Sequence, residues 1–254
     1  NYAARYATTG VGAVVVGYRG LQHAANVGNN TAIGDSALWH TQGFANVAGG
    51  YVVAEGMSKG DSNVVFGRAA MRYRDDGDEN VFLGELSGAI IANSLPGQPG
   101  ANIGIGDAAP SDNIGGAPAG HRNVGVGIKS LGDALGNKNA ALGHRSGLSL
   151  KGVVKSEQKN VFLGADSGYH PNQKIDAVNS IAIGADTFTT KNNQAVIGND
   201  AITETILRGV TRHTTYTVAT LPSAATMGAG SRAFVTDANS TTFNAAAVGG
   251  GSNA

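Results

Sequence analysis

The chain has 254 residues with 18 basic and 18 acidic side chains, so its formal net charge is zero, which argues against a nucleic-acid binder or an electrostatically attached membrane protein. There is no Cys, which excludes disulfides and thiolate metal sites, and no apolar run approaches the ~20 residues that span a bilayer. Gly supplies 39 residues while aromatic residues are only 6%, so the composition favours thin, closely stacked backbones over a thick core.

One pentapeptide recurs along the chain: a small polar residue, usually Asn, then three mostly apolar residues and a Gly. Its copies occupy residues 13–17, 30–34, 46–50, 63–67, 80–84, 102–106, 123–127, 139–143, 160–164, 180–184 and 194–198. The copy at 46–50 is degenerate. The structural repeat glycines of the other ten copies are Gly17, Gly34, Gly67, Gly84, Gly106, Gly127, Gly143, Gly164, Gly184 and Gly198. A fixed repeat of this kind predicts a solenoid, and the unequal steps predict surface insertions.

Each pentapeptide predicts a short strand that ends at its Gly, where the backbone turns sharply or takes a positive φ. The recurrent Asn suits a turn or a stacked ladder. Because strand side chains alternate, the second and fourth positions, such as Val81 and Leu83, share one face. We expect that face to fill the coil, and the middle position, such as Phe82, to meet partner chains. The alternative is a thicker solenoid whose outer face is covered by its own loops.

The chain divides into a predicted β-roll repeat domain at 1–211 and a small C-terminal β-module at 212–254. In the module, residues 214–218 and 232–237 have a strand pattern. Because the sequence opens with Asn1 and its Gly- and Ala-rich end at 245–254 has no closing strand, we expect it to be a fragment or a processed product.

Aromatic side chains beside hydrogen-bonding groups in the insertions are the predicted binding residues, since an aromatic face flanked by polar groups is how proteins hold sugars. The candidate glycan contacts are Trp39, His40, Arg72, Tyr73, Arg74, Tyr169 and His170. The alternative for each of them is packing of its loop onto the roll.

The sequence gives weaker evidence for a cofactor site, a metal site or a catalytic site. Residues 104–109 match a loose dinucleotide-binding pattern, but they are the repeat itself and no helix pattern follows. The acidic run at 75–79 lacks the ligand spacing of a calcium loop and is typical of a solvated turn. The six His residues have no metal-ligand spacing. We therefore predict no cofactor, no metal site and no catalytic residue. Cleavage of a glycan by stacked carboxylates stays an alternative; the candidates are Asp35, Glu85, Asp107 and Asp166.

The Asn/Ser-x-Ala-Ile-Gly units resemble the head repeats of trimeric autotransporter adhesins, the YadA-like heads, most closely at 180–186. The units at 30–38 and 63–71 are more similar to repeats in bacteriophage tail fibres and tailspikes. The stretches 220–225 and 231–238 resemble a segment near the ends of phage tail proteins. Steps of 20 to 22 residues exceed the adhesin unit, and no stalk or anchor pattern follows, which favours the phage family.

This resemblance implies an all-β, left-handed parallel β-roll packed as a homotrimer. It implies a segment of a phage tail fibre or tailspike that binds a bacterial surface glycan or outer-membrane receptor and contacts other virion tail proteins, without membrane insertion or nucleic-acid binding. The implied location is the extracellular virion tail. The alternatives are a glycan-degrading depolymerase tailspike, a purely structural fibre shaft, and an adhesin head on a bacterial cell surface.

Overall fold

The computed structural model describes residues 12–23, 28–57, 59–72, 77–89, 100–108, 120–132, 136–150, 157–223 and 233–235. The chain divides into two compact units, 1–203 and 204–254. The first unit is a parallel β-solenoid, which confirms the predicted all-β repetitive fold. Within the described ranges, no helix has the length and apolar character needed to cross a membrane.

Each pentapeptide forms one three-residue strand, and one strand marks one coil of the solenoid. The strands form a single sheet in chain order, and neighbouring strands are parallel and in register, so Val81 lies opposite Ile103 and Val161 opposite Ile181. Their bounds are β1 Val14–Val16, β2 Thr31–Ile33, β3 Val47–Gly49, β4 Val64–Phe66, β5 Val81–Leu83, β6 Ile103–Ile105, β7 Val124–Val126, β8 Ala140–Leu142, β9 Val161–Leu163, β10 Ile181–Ile183 and β11 Ala195–Ile197.

The predicted assignment of the two sheet faces is wrong. The middle residue of each strand points into the coil, and Phe82 and Phe162 are 0% and 1% exposed. The second and fourth pentapeptide positions point outward; Val161 and Leu163 are each 40% exposed. The physical reason is the narrowness of the coil, which has room for one inward side chain from each strand and not for two.

Inside the coil, large and small side chains complement one another. Phe82 faces Gly88, where an added Cβ would lie 2.6 Å from the Phe82 ring. Phe162 faces Gly168 in the same way, at 2.4 Å. In the coil of Ala32 the strand residue is small and the opposite residue, Leu38, is large. Where both residues are small, as in the coil of Ala141 and Gly147, side chains of the neighbouring coils, Leu131 and Phe162, approach the space instead.

The glycines that follow β1 to β9 have no room for a side chain. Gly84 has φ +132°, and an added Cβ would lie 2.5 Å from the carbonyl oxygen of Gly106 in the next coil. Gly67 stands in the same relation to Gly84, at 2.2 Å. These backbones approach so closely that only Gly fits.

The recurrent Asn residues form a buried ladder along the solenoid. The Asn63 Oδ1 accepts from the Asn80 backbone N–H at 3.0 Å, and the Asn80 Oδ1 accepts from the Asn102 backbone N–H at 3.0 Å. The same contact joins successive coils from Asn30 to Ser180. Of the two structures predicted for these residues, the stacked ladder is the one that forms, and each rung satisfies a buried N–H that would otherwise be costly.

The second unit contains a two-stranded parallel sheet, in which β12 Thr215–Tyr216 pairs with β13 Phe234–Val235. A single 3-10 turn, Val218–Thr220, follows β12, and the Thr217 side chain caps it by accepting from the Thr220 N–H. Both strands lie within the two stretches that have a strand pattern in the sequence.

Candidate functional site

The coil positions five and six residues after the turn glycines carry several of the predicted binding side chains. Trp39 and Arg72 are each five residues after their glycine, and His40 is six residues after its own. Immediately before them, Leu38 and Met71 are fully buried and anchor this side of the coil. Trp39 and Arg72 therefore belong to one side of the solenoid, two coils apart.

An aromatic cluster surrounds Trp39. The His40 ring centroid lies 4.5 Å from that of Trp39 at an edge-on angle of 63°. His23, from the preceding coil, stacks on His40 at 5.2 Å and 13°. The Arg19 guanidinium lies 5.8 Å from the Trp39 ring centroid, within cation–π range. The indole Nε1 is buried and has no hydrogen-bond partner among the described residues.

An ion pair completes the cleft beside this cluster. The Arg72 Nε donates to the Glu55 Oε2 at 2.8 Å, and both side chains are largely shielded from water. Together with Trp39, His40 and Gly56 they line a cavity of about 250 Å³. We call this set the Trp39 cleft. It offers an aromatic ring, a carboxylate acceptor and a guanidinium donor, which suits a ring-shaped ligand bearing hydroxyl groups.

The surroundings of His40 favour its neutral form. Burial lowers its pKa below the ordinary 6.5, the neighbouring His23 lowers that pKa further, and the Glu55 carboxylate opposes both effects.

Tyr169 and His170 form a second cluster, which we call the Tyr169 shelf. The Arg145 guanidinium lies 4.6 Å from the Tyr169 ring centroid, and that ring is 40% exposed. Arg145 also makes a bidentate pair with Asp166 at 2.6 and 2.7 Å, which raises the arginine pKa further. His170 stacks flat on Phe188 with centroids 3.9 Å apart. The shelf presents exposed aromatic surface beside fixed charges.

The cleft and the shelf are separate in one chain. Trp39 follows β2 and Tyr169 follows β9, seven strands apart in the sheet, which is roughly 34 Å at the usual strand spacing. Tyr73 and Arg74 lie outside the described residues.

The carboxylates considered for glycan cleavage are mostly dispersed or paired. Glu85 and Asp107 follow adjacent strands, β5 and β6, whereas Asp35 and Asp166 follow β2 and β9. Glu85 pairs with Arg68, and Asp166 is held by Arg145. In the described parts of the chain, no group of three or more His, Asp or Glu side chains is placed to hold a metal ion. Asp75 and Asp76 fall outside those parts.

No family model matches the chain, and neither the curated proteins nor the solved structures contain a significant match to it.

Several residues of these clusters were missed by reasoning from the sequence. Glu55 and His23 belong to the Trp39 cleft, and Arg145 and Phe188 to the Tyr169 shelf. A signal for the first two is present: Glu55 is five residues after Gly50, and His23 is six residues after Gly17, the offsets of Trp39 and His40. Aligning the copies on their turn glycines would have identified them.

Proposed function

We propose that this chain is a trimeric attachment module of a bacteriophage tail fibre or tailspike, which binds a bacterial surface glycan. The association of chains in this proposal is supported by the outer face of the solenoid sheet, which consists of exposed aliphatic side chains that a lone chain in water would leave uncovered; the glycan-binding part is supported by the Trp39 cleft and the Tyr169 shelf. Ile197 at one end of the sheet is 62% exposed, and Leu142 and Leu163 near its middle are 51% and 40% exposed.

The size of this face indicates what covers it. Eleven strands at ~4.8 Å spacing make a sheet roughly 50 Å long. A contiguous apolar strip of that length exceeds the patches that monomeric proteins usually expose and is typical of an association surface. Identical solenoids can cover it by pairing equivalent coils around a symmetry axis, as closed oligomers do. The sequence resemblance implies three copies.

The Trp39 cleft and the Tyr169 shelf are the proposed receptor contacts. Both are built on rigid, hydrogen-bonded coils, so little order has to be gained on binding. In a trimer each would occur three times, and multivalency would raise a weak single-site affinity without further contacts.

The proposal is tested by measuring binding of the whole chain to a panel of immobilised bacterial capsules and lipopolysaccharides. We expect binding to at least one polysaccharide, and Trp39→Ala should weaken it about tenfold because the aromatic platform is lost. Phe44→Ala, which removes an exposed aromatic ring elsewhere, is the matched control and should leave binding unchanged.

Two other results would favour the alternatives. Release of reducing sugar from a bound polysaccharide would identify a depolymerase. Failure of the correctly folded chain to bind any cell or polysaccharide in the panel would contradict attachment and favour a purely structural shaft.

A further inference from the structure

A second cavity, of about 510 Å³, lies on a different edge of the solenoid from the Trp39 cleft. It is formed by the residues one and two places before the ladder Asn of four successive coils, together with Glu157, three places before the ladder Asn of the fifth. The lining residues are Asp78, Glu79, Gly100, Ala101, His121, Arg122, Asn137, Lys138 and Glu157. We call it the Arg122 groove. Its volume is that of a typical small-ligand site.

The walls of the groove are fixed by backbone hydrogen bonds. Glu79, Ala101, Arg122 and Lys138 all have φ between 56 and 62°, the left-handed region. Each donates its N–H to the preceding coil; the Ala101 N–H bonds the Asp78 carbonyl oxygen at 2.8 Å, and the Arg122 N–H bonds the Gly100 carbonyl oxygen at 3.2 Å. The side chains therefore project from a rigid backbone at a constant spacing, so their positions are organised before any ligand binds.

The floor of the groove is formed by small residues. Gly100 and Ala101 form the coil between Glu79 and Arg122, and an added Cβ on Gly100 would lie 2.7 Å from the Asp78 carbonyl oxygen. This coil contributes backbone and one methyl group, and the His121 Nδ1 of the next coil accepts from the Gly100 N–H at 3.1 Å, so the imidazole lies beside it. The gap between the two charged walls spans two coils, about 10 Å at the usual strand spacing, which is enough for one sugar ring.

Some charges around the groove are already paired. Glu157 pairs with Lys138 and with Lys159, and these two lysines lower its pKa to about 2. The Asp78 Oδ1 accepts from the Asp61 N–H at 2.9 Å. Within the described ranges, Arg122 and Glu79 form no ion pair. The backbone hydrogen bond leaves the Asp78 charge uncompensated, so within the described ranges one exposed cation, Arg122, faces two exposed carboxylates, Asp78 and Glu79, across the groove.

We infer that the Arg122 groove binds an anionic sugar, a ring that bears a carboxylate or phosphate together with free hydroxyl groups. This inference rests on the proposed function, since it names the class of glycan that attachment would use. The planar guanidinium of Arg122 can donate two parallel hydrogen bonds to the anionic group. The Glu79 carboxylate has only acceptors and takes hydrogen bonds from the hydroxyl groups two coils away. The ring itself lies over Ala101, beside the His121 imidazole.

The test is calorimetric titration of the whole chain with three probes: a glucuronyl-glucose disaccharide, glucose 1-phosphate, and the neutral disaccharide made by reducing the carboxyl group of the first. We expect at least one anionic probe to bind tenfold or more tightly than the neutral one, and its affinity to fall as salt is added. Comparing the two anionic probes distinguishes a uronate ligand from a sugar phosphate.

Arg122→Gln should abolish the preference for the anionic probe. Lys129→Gln is the matched control, because Lys129 is also exposed, basic and in the left-handed region, but lies outside the groove. A control that loses the preference equally, or equal binding of charged and neutral probes, would overturn the inference.

A measurement on the unsubstituted chain tests the inference even if the Arg122→Gln variant does not fold. The bound anionic probe should slow hydrogen exchange at residues 120–123 and leave 127–132 unchanged; protection of 127–132 alone would contradict the assignment. Binding of the chain to bacterial polysaccharide is scored separately. If the chain binds polysaccharide but does not discriminate the anionic probes, this inference fails while the attachment function stands.

Discussion

At the scale of single residues, the interior of the solenoid contains pairs of side chains whose sizes compensate each other. Phe82 and Phe162 occur in coils whose opposite position is Gly, and Ala32 occurs in a coil whose opposite position is Leu. The opposite position is always four residues after the turn glycine. Since the coil holds one inward side chain from each strand, its volume must be balanced within a few residues of sequence.

This balance predicts that a double variant, in which the large residue becomes small and the small residue becomes large, loses less unfolding free energy than the two single variants together. Phe82→Ala alone should cost about 3–5 kcal/mol of unfolding free energy, because it leaves a cavity. Gly88→Leu alone should cost at least about 1–3 kcal/mol, because the new side chain meets the Phe82 ring. The double variant should recover much of both losses, since Leu131 already occupies the equivalent position with φ 51°. Urea unfolding measures all three.

The control combines residues from different coils. Phe162→Ala with Gly88→Leu joins coils four strands apart, so the two losses should simply add. If the losses of unfolding free energy also add in the double variant of Phe82 and Gly88, these two side chains do not compensate each other in size.

At the scale of elements, the repeat specified almost all of the solenoid. Every pentapeptide forms the predicted strand, since its β-branched residues and terminal glycine favour a strand and then a turn. The direction in which the strands face was not predictable from alternation alone, because both faces are apolar. In coils such as those of Phe82 and Phe162, the match in size between the middle strand residue and the residue four places after the turn glycine indicates which face points inward, but only once the copies are aligned.

The candidate sites were less predictable. Trp39, His40 and Arg72 meet because each lies five or six residues after its turn glycine, which the sequence can reveal. The Arg122 groove depends instead on which charges are left unpaired after the coils stack, and pairs such as Lys138 with Glu157 require the register of neighbouring insertions. Insertions of unequal length hide that register in the sequence.

The His40 environment predicts a pH effect on stability. Because the folded pKa of His40 lies below 6.5, the unfolded chain binds a proton that the folded chain does not, so stability is full above about pH 6.5 and falls as the pH drops toward the folded pKa. The groups that face His40 are His23 and Glu55; the first lowers its pKa and the second raises it. His40→Gln should reduce the loss of stability between pH 7.5 and 5.5 in urea unfolding.

His213→Gln, in the second unit, is the control for this effect and should leave the pH dependence of the solenoid unchanged. An unchanged pH dependence in His40→Gln would show that His40 does not sense protons in the way its surroundings indicate.

At the scale of the whole molecule, the solenoid uses its two faces differently. The inward face is closed by the chain itself through Phe, Gly and the Asn ladder, whereas the outward face has aliphatic side chains in coil after coil. An aliphatic face that points to water adds nothing to the stability of one chain, because its surface is not removed from water. It contributes only when another surface covers it, which is the physical reason for proposing that copies of the chain associate through this face.

The outward face therefore predicts the oligomeric state. Sedimentation equilibrium should give three times the chain mass of 25.5 kDa. Leu142→Lys with Leu163→Lys places two charges on neighbouring strands at the middle of the face, where burial of unpaired charge is strongly unfavourable, and should shift the mass to that of a single chain. Asn172→Lys, an exposed loop substitution, should leave the trimer intact. A parent chain that sediments at 25.5 kDa would contradict the trimer, and a double variant that stays trimeric would show that the copies meet through another surface.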